Sequence, residues 1–171
     1  DFKFKNGDIV FTCMDDEITK KYADRILKSG ARIIDKSSCF RMQNDVPLIV
    51  PEVNKDVLDN NDPKIIASPN CIAIPLSMVL NGIKNNIDAA VISTYQSISG
   101  AGKIALNNFE KSIKNGCVPD NMHSIPHIGG AANCNMTGEE EKVIFETKKI
   151  LMKNDFDIDV TCVRVPVMIG H

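Results

Sequence analysis

Residues 8–35, DIVFTCMDDEITKKYADRILKSGARIID, decide the fold. The run DIVFTC (8–13) is apolar and β-prone, which predicts a strand. From Glu17 to Lys28, the residues Ile18, Tyr22, Ile26 and Leu27 recur at near-helical spacing, and Gly30 follows as a helix stop. ARIID (31–35) then reads as a strand again. Strand, helix and strand in this order begin an alternating chain, and such chains fold as α/β.

The alternation continues outward. PLIV (47–50) and KIIA (64–67) predict further short buried strands, separated by the turn-forming DNNDP. Next come a helix from about Ile72 to Asn85, a strand in DAAVISTYQS (88–97) and a helix from about Gly102 to Lys114, closed by Gly116. A loop rich in Pro, Gly and Asn leads through Asn135. The clearest helix lies in MTGEEEKVIFETKKILMKND (136–155). Thr137 and Glu140 form a capping-box pattern, three Glu sit at the positive end, and Lys148, Lys149 and Lys153 sit toward the negative end. Val143, Ile144, Ile150 and Leu151 mark its buried stripe. The strand DVTCVRVPV (159–167) follows, and no internal repeat is visible.

Composition bounds the function. The chain has 171 residues, 43% of them hydrophobic and 25% charged, with a net charge of -2. That describes a soluble globular protein without electrostatic bias toward nucleic acid or anionic membrane. Apolar stretches such as CIAIPLSMVL (71–80) fall short of the ~20 residues a bilayer span needs, and the start DFKFKNGD lacks the pattern of a signal peptide. Six cysteines (Cys13, Cys39, Cys71, Cys117, Cys134, Cys162) are scattered singly with no C-x-x-C pair, so no metal site is expected. Reduced thiols in a cytosolic setting are the expectation.

Several polar residues interrupt apolar segments. If Asn70 caps a helix, Cys71 lies in its first turn, where unpaired N–H groups favour the thiolate. A buried, inert cysteine is the commoner state of such a residue. Gln96 ends a buried-looking strand, and Gly100 and Gly102 let backbone approach a ligand, although SGAG alone is more often an ordinary turn. Arg41 and Arg164 beside apolar residues serve carboxylate or phosphate recognition, or equally a structural ion pair. Lys142 opposes the dipole of its helix, and a surface pair with Glu139 is the plain alternative. A lone histidine such as His171 is more often structural than catalytic. His123 and His127 sit in a loop with no evident partner.

Together, GARIIDKSSCFRM (30–42), DVPLIVPEVN (45–54), SPNCIAIPLSMVL (68–80), STYQSISGAG (93–102), TGEEEKVIFETKKI (137–150) and VTCVRVPVMIGH (160–171) stand in an order that resembles the aspartate-semialdehyde dehydrogenase family. The resemblance implies the later part of a Rossmann-like dinucleotide-binding domain over residues 1–70. Part of an α+β catalytic and dimerisation domain with a mixed sheet would follow over residues 71–171. It implies NADPH-dependent reduction of aspartyl 4-phosphate to aspartate 4-semialdehyde, an early step toward lysine, threonine and methionine, with phosphate as the other product. Cys71 would be the nucleophile, His171 the general acid/base and Gln96 the residue orienting the reacting group. Arg164 would hold the substrate carboxylate, Glu139 its amino group, and Arg41, Asn70 and Lys142 its phosphate. Ser37, Ser38, Gly100 and Gly102 would face NADP. A cytoplasmic homodimer or homotetramer is implied.

The chain departs from the family's pattern in two ways. It contains no G-x-x-G-x-x-G turn, and TCMDDE (12–17) replaces a small, Gly-containing turn. Both ends read as internal to the family's length, so weak NADPH binding and poor turnover by this chain alone are expected. Two other readings stay open. N-acetyl-glutamyl-phosphate reductase shares the acyl-phosphate chemistry, but its cysteine turn usually has Gly where Asn70 stands. A non-catalytic remnant would keep the fold as a structural or dimerisation module. Arg164 and His171 are seven residues apart, so an unbroken strand would send them to opposite faces; a bend is expected at Pro166 or Gly170.

Overall fold

Strands β1 (Ile9–Thr12), β2 (Arg32–Asp35) and β3 (Ile65–Ala67) lie parallel in that order, with Ile9 opposite Arg32 and Ile33 opposite Ile65. The computed structural model describes residues 2–59, 61–116, 123–132 and 135–171. These form two compact units, residues 1–87 with 145–155 and residues 88–144 with 156–171. The packing boundary at Ile87 and Asp88 differs from the division expected after residue 70, and the chain returns to the first unit near its end.

In the first unit, α1 (Asp16–Lys28) connects β1 to β2. Asp16 and Glu17 sit in its first turn and Arg25 and Lys28 in its last, each sign at the end of the dipole it stabilises. Gly30 turns the chain at φ +84°, where a side chain would be strained and would meet Asn6. The buried face is Thr19, Ala23 and Ile26, while Ile18 and Tyr22 are exposed. The predicted helix is present, with Ile26 buried and Leu27 half-buried among its four apolar residues at that spacing. Small Thr19 and Ala23 let the helix lie close on the sheet.

PLIV does not become a strand. Leu48 makes one parallel bridge to Ala67, and Val50 leads straight into α2 (Pro51–Asn54). Pro47 lacks an N–H and Pro51 suits the start of a helix, so the ladder cannot extend either way. Helix α3 (Ala73–Asn81) follows β3 and stops short of Asn85; a 3₁₀ turn covers Lys84–Asn86. Ala31, Ile33, Leu48, Ala67, Ala73 and Ile150 belong to one buried cluster.

In the second unit, β4 (Ala89–Gln96) pairs in parallel with β5 (Asp157–Arg164), from Ala89 opposite Asp157 to Gln96 opposite Arg164. The two strands form a parallel sheet, against the mixed sheet expected, and a single isolated antiparallel bridge joins Ile125 to Arg164. Helix α4 spans Lys103–Lys114. Helix α5 (Gly138–Leu151) opens with the predicted capping box: Thr137 donates its N–H to Glu140 Oε2 at 2.8 Å, and the Glu140 N–H donates to Thr137 Oγ1 at 3.3 Å. Its buried residues include Val143, Ile150 and Leu151, together with Glu146 and Thr147, whereas Ile144 is only half-buried. Cys117 and Cys134 lie outside the described residues. No helix among the described residues is long and apolar enough to cross a membrane.

Candidate active site

The candidate residues divide between the two units. In the first, Asn70 and Cys71 precede α3. The assigned helix begins at Ala73, yet Asn70 Oδ1 accepts the Ile72 N–H at 2.7 Å and Asn70 O accepts the Ile74 N–H at 3.2 Å. Asn70 thus caps an added turn ahead of the regular helix, with Cys71 inside it. Cys71 is exposed, which overturns the commoner expectation of a buried thiol. Arg41 is nearly buried; Nη1 pairs with Glu146 Oε1 at 3.2 Å and Nη2 donates to Lys36 O at 2.9 Å. Glu146 also accepts the Asn70 N–H through Oε2. One carboxylate therefore joins two predicted site residues, Arg41 and Asn70.

Ser37 and Ser38 follow β2, at the carboxyl end of a parallel sheet where α/β folds bind ligands. Their donors are already engaged. Ser37 Oγ lies 2.9 and 2.8 Å from the two oxygens of buried Asp35, which also accepts Thr12 Oγ1 at 2.6 Å. Ser38 gives its N–H and hydroxyl to Asp16 at 2.9 and 2.7 Å. That fork is the geometry with which a phosphate is gripped, here closed on the protein's own carboxylate. As phosphate contacts for a dinucleotide, Ser37 and Ser38 do not fit. Gly102, at φ +93°, has open space where a side chain would stand, and its N–H is engaged by Ser99 O at 3.0 Å.

In the second unit, the chemistry gathers at the end of β4. Gln96 is buried; Nε2 donates to Glu139 Oε1 at 3.0 Å, and its own Oε1 is buried without a hydrogen-bond partner. A buried acceptor left in this state is suited to a ligand's N–H. The next peptide serves two side chains. The Ser97 N–H donates to His171 Nδ1 at 3.0 Å, and Ser97 O accepts Arg164 Nη1 at 2.6 Å. Gly100 lies against both; a methyl there would stand 2.9 Å from Arg164 Nη1 and 2.9 Å from His171 Cε1.

Both suspected bends are real. The Val167 N–H bonds Val165 O across Pro166 at 2.8 Å, and Gly170 takes φ +102°. After the first bend, Val167 O and Met168 O accept the N–H groups of Ile98 and Ser99, which ties the turning chain to the 3₁₀ segment Ile98–Ala101. Arg164 and His171 thereby reach the same peptide although an extended strand would separate them.

Lys142 is half-buried on α5 and makes no ion pair among the described residues, so the surface pair with Glu139 is not formed. No group of three or more potential metal ligands is gathered among the described residues. Against the upward push of burial, the hydrogen bonds from Thr137 and Cys162, and last the charge of His127, lower the pKa of Glu140. The sequence reading missed two participants. Ser97 acts through its peptide, which carries no side-chain signal. Glu146 had one, an acidic residue in phase with Val143 and Ile150 on the buried stripe of α5.

Residues 1–61 match the family profile "Semialdehyde dehydrogenase, NAD binding domain", and residues 80–171 match "Semialdehyde dehydrogenase, dimerisation domain". The aspartate-semialdehyde dehydrogenase of Rickettsia conorii is 43% identical over 98% of this chain and 54% of its own length. The crystal structure of aspartate semialdehyde dehydrogenase II from Vibrio cholerae covers 94% of this chain and 52% of that one at 33% identity, with a TM-score of 0.84. Its complex with ASA matches equally well, at 32% identity and a TM-score of 0.84. The chain spans about half the length of the curated relatives it matches. By both of its halves, and with an α/β architecture of parallel strands, the chain belongs to the semialdehyde dehydrogenase family, among the aspartate-semialdehyde dehydrogenases.

Proposed function

We propose that the chain works in the interconversion of aspartyl 4-phosphate and aspartate 4-semialdehyde with NADPH, through a thioester on Cys71, in the supply of lysine, threonine and methionine. The Cys71 thiolate attacks the acyl carbonyl; the S–C bond forms, the C–O bond to phosphate breaks and inorganic phosphate departs with the electron pair. Arg41, Asn70 and Lys142 take the phosphate's charge, the two-pronged Arg164 takes the α-carboxylate, and Glu139 takes the amino group. Gln96 orients the reacting carbonyl. When bound, NADPH would supply a hydride to the thioester carbon; the C–S bond then breaks, releasing the aldehyde and returning the Cys71 thiolate, with Gly102 among the residues proposed to face the cofactor. His171 exchanges a proton with the reacting oxygen. The setting is the cytoplasm, where exposed thiols stay reduced.

The observation that carries this reading is the Ser97 peptide, which binds an acid/base candidate at its N–H and a carboxylate-binding arginine at its carbonyl. A merely structural remnant has no need of that pairing beside a glycine that leaves both side chains room. The decisive experiment omits the cofactor. The chain is incubated with aspartyl 4-phosphate, and Cys71 is examined by mass spectrometry for an acyl adduct formed with stoichiometric phosphate release. An adduct absent from Cys71→Ser supports the reading; a folded chain that forms none refutes it.

For the assembly, a homo-oligomer built on the β4–β5 sheet is the proposal. Val91 and Tyr95 on one face of β4 are 83% and 67% exposed, an apolar surface suited to a second copy. Val91→Lys should shift sedimentation toward monomer.

A further inference from the structure

Glu146 has no part in the chemistry above, and it is the least ordinary buried group in the first unit. Its side chain is fully buried, and a buried carboxylate is destabilising unless its charge and lone pairs are matched. Both oxygens are matched, each by a residue with an assigned role: Oε1 by the Arg41 guanidinium at 3.2 Å and Oε2 by the N–H of Asn70, the residue before Cys71. One turn further along α5, Lys149 Nζ donates to Arg41 O at 2.9 Å and to Gln43 O at 2.5 Å. Helix α5 therefore grips the Arg41 loop by its side chain and by its main chain. Through Glu146 the same helix grips the turn that presents Cys71, which is held on its far side by the Asn70 bond to Ile72.

Two explanations compete. A purely stabilising role is served as well by apolar residues of similar volume, which commonly replace buried ion pairs without loss. That role does not account for a carboxylate whose two ends fall on the anion-binding arginine and on the nucleophile's turn. Arg41 also keeps unspent capacity, since its Nε is buried without a partner while Nη1 and Nη2 are fixed. The guanidinium is oriented by Glu146 with a donor still to give.

We propose that Glu146 is a positioning residue that locks the Arg41 guanidinium and the Asn70–Cys71 turn to one another, so that anion binding at Arg41 is felt at the Cys71 sulfur. This rests on the roles given above to Arg41 and Cys71. Glu146→Gln keeps the shape but turns an N–H₂ toward one of the two donors, so one contact becomes repulsive.

The test uses the whole chain and measures alkylation of Cys71 by iodoacetamide, read by peptide mass spectrometry with and without inorganic phosphate. In the wild type, phosphate should change the rate. In Glu146→Gln, folded by near-ultraviolet circular dichroism, the rate without phosphate should fall about tenfold, the worth of one lost charge-assisted hydrogen bond, and the phosphate response should vanish. A folded Glu146→Gln with wild-type rate and wild-type phosphate response overturns the proposal. A slowed Glu146→Gln beside a wild type indifferent to phosphate removes the anion role of Arg41 and leaves the positioning of Cys71 standing. If Glu146→Gln does not fold, the double variant Arg41→Met with Glu146→Leu removes both charges together. Slowed Cys71 alkylation in it supports the proposal, and an unchanged rate overturns it.

Discussion

The Ser97 N–H donates to His171 Nδ1 at 3.0 Å, and because an amide can only donate, that ring nitrogen is held as an acceptor. Gly170 O lies 3.2 Å from the same nitrogen and would accept a proton there, but the Ser97 contact is the shorter and places the neutral ring's proton on Nε2. Nitrogen-15 NMR of the imidazole should report the Nε2–H tautomer in the wild type. Ser97 has φ -75°, which proline tolerates, so Ser97→Pro removes this donor without forcing the backbone. The tautomers should become mixed in that variant; an unchanged spectrum would mean that another group sets the ring.

Gly100 and Gly102 separate site geometry from stability. An added methyl at Gly100 meets only the far ends of two flexible side chains, so Gly100→Ala should change stability by less than about 1 kcal/mol while displacing Arg164 and His171. Gly102→Ala meets open space but is held at φ +93°, a strain of about 1–3 kcal/mol. Chemical denaturation should rank Gly102→Ala as the less stable variant, and the NMR spectrum of His171 should be perturbed in Gly100→Ala alone.

Glu140 gives a pH-dependent stability. Burial alone would raise the carboxyl's pKa, but the N–H groups of Thr137 and Cys162 and the Thr137 hydroxyl, aided by His127, together lower it. A folded value below the unfolded one adds stability above the unfolded value, near ~4.3, and loses it as pH falls through the folded one. Glu140→Gln should destabilise the chain by about 1.5–3 kcal/mol at neutral pH, the worth of hydrogen bonds to a charged group. Melts repeated at descending pH should show the difference from wild type shrinking; a constant gap would contradict the account.

Cys39 should behave as the opposite of an activated thiol. Burial chiefly, and then the negative charges of Asp16 and Asp35, raise its pKa, with Lys20 opposing. Its alkylation should begin at higher pH than that of an ordinary thiol, and Asp16→Asn should bring the onset back toward neutrality. The same substitution weakens the fork that engages Ser38, so NADPH affinity measured by fluorescence should rise in parallel. A lowered onset without a gain in affinity, or the reverse, would break the link to Asp16.

Much of this was legible because it depends on periodicity and on local donors. The alternation across residues 8–35, the capping box of Thr137 and Glu140 and the Asn70 cap all act within a few residues of chain. The strand at 47–50 was misread because two prolines, harmless to an apolar pattern, remove the hydrogen bonds a ladder needs. The spacing of Ile18, Tyr22, Ile26 and Leu27 announces the α1 helix but not its buried face, which Ile26 shares with the small Thr19 and Ala23. The resemblance turns Ser38 toward NADP, and only folding brings Asp16, 22 residues earlier, onto it. Glu146 meets its partners across 105 and 76 residues, a distance over which no spacing rule operates.

The return of residues 145–155 to the first unit has a consequence for how such a chain can be divided. Ile150 belongs to the cluster built on Ala31, Ile33 and Ala67, so a product ending at residue 87 would leave that interior partly uncovered. An insertion between the portions must spare α5, because its residues 138–144 belong to one unit and its residues 145–151 to the other.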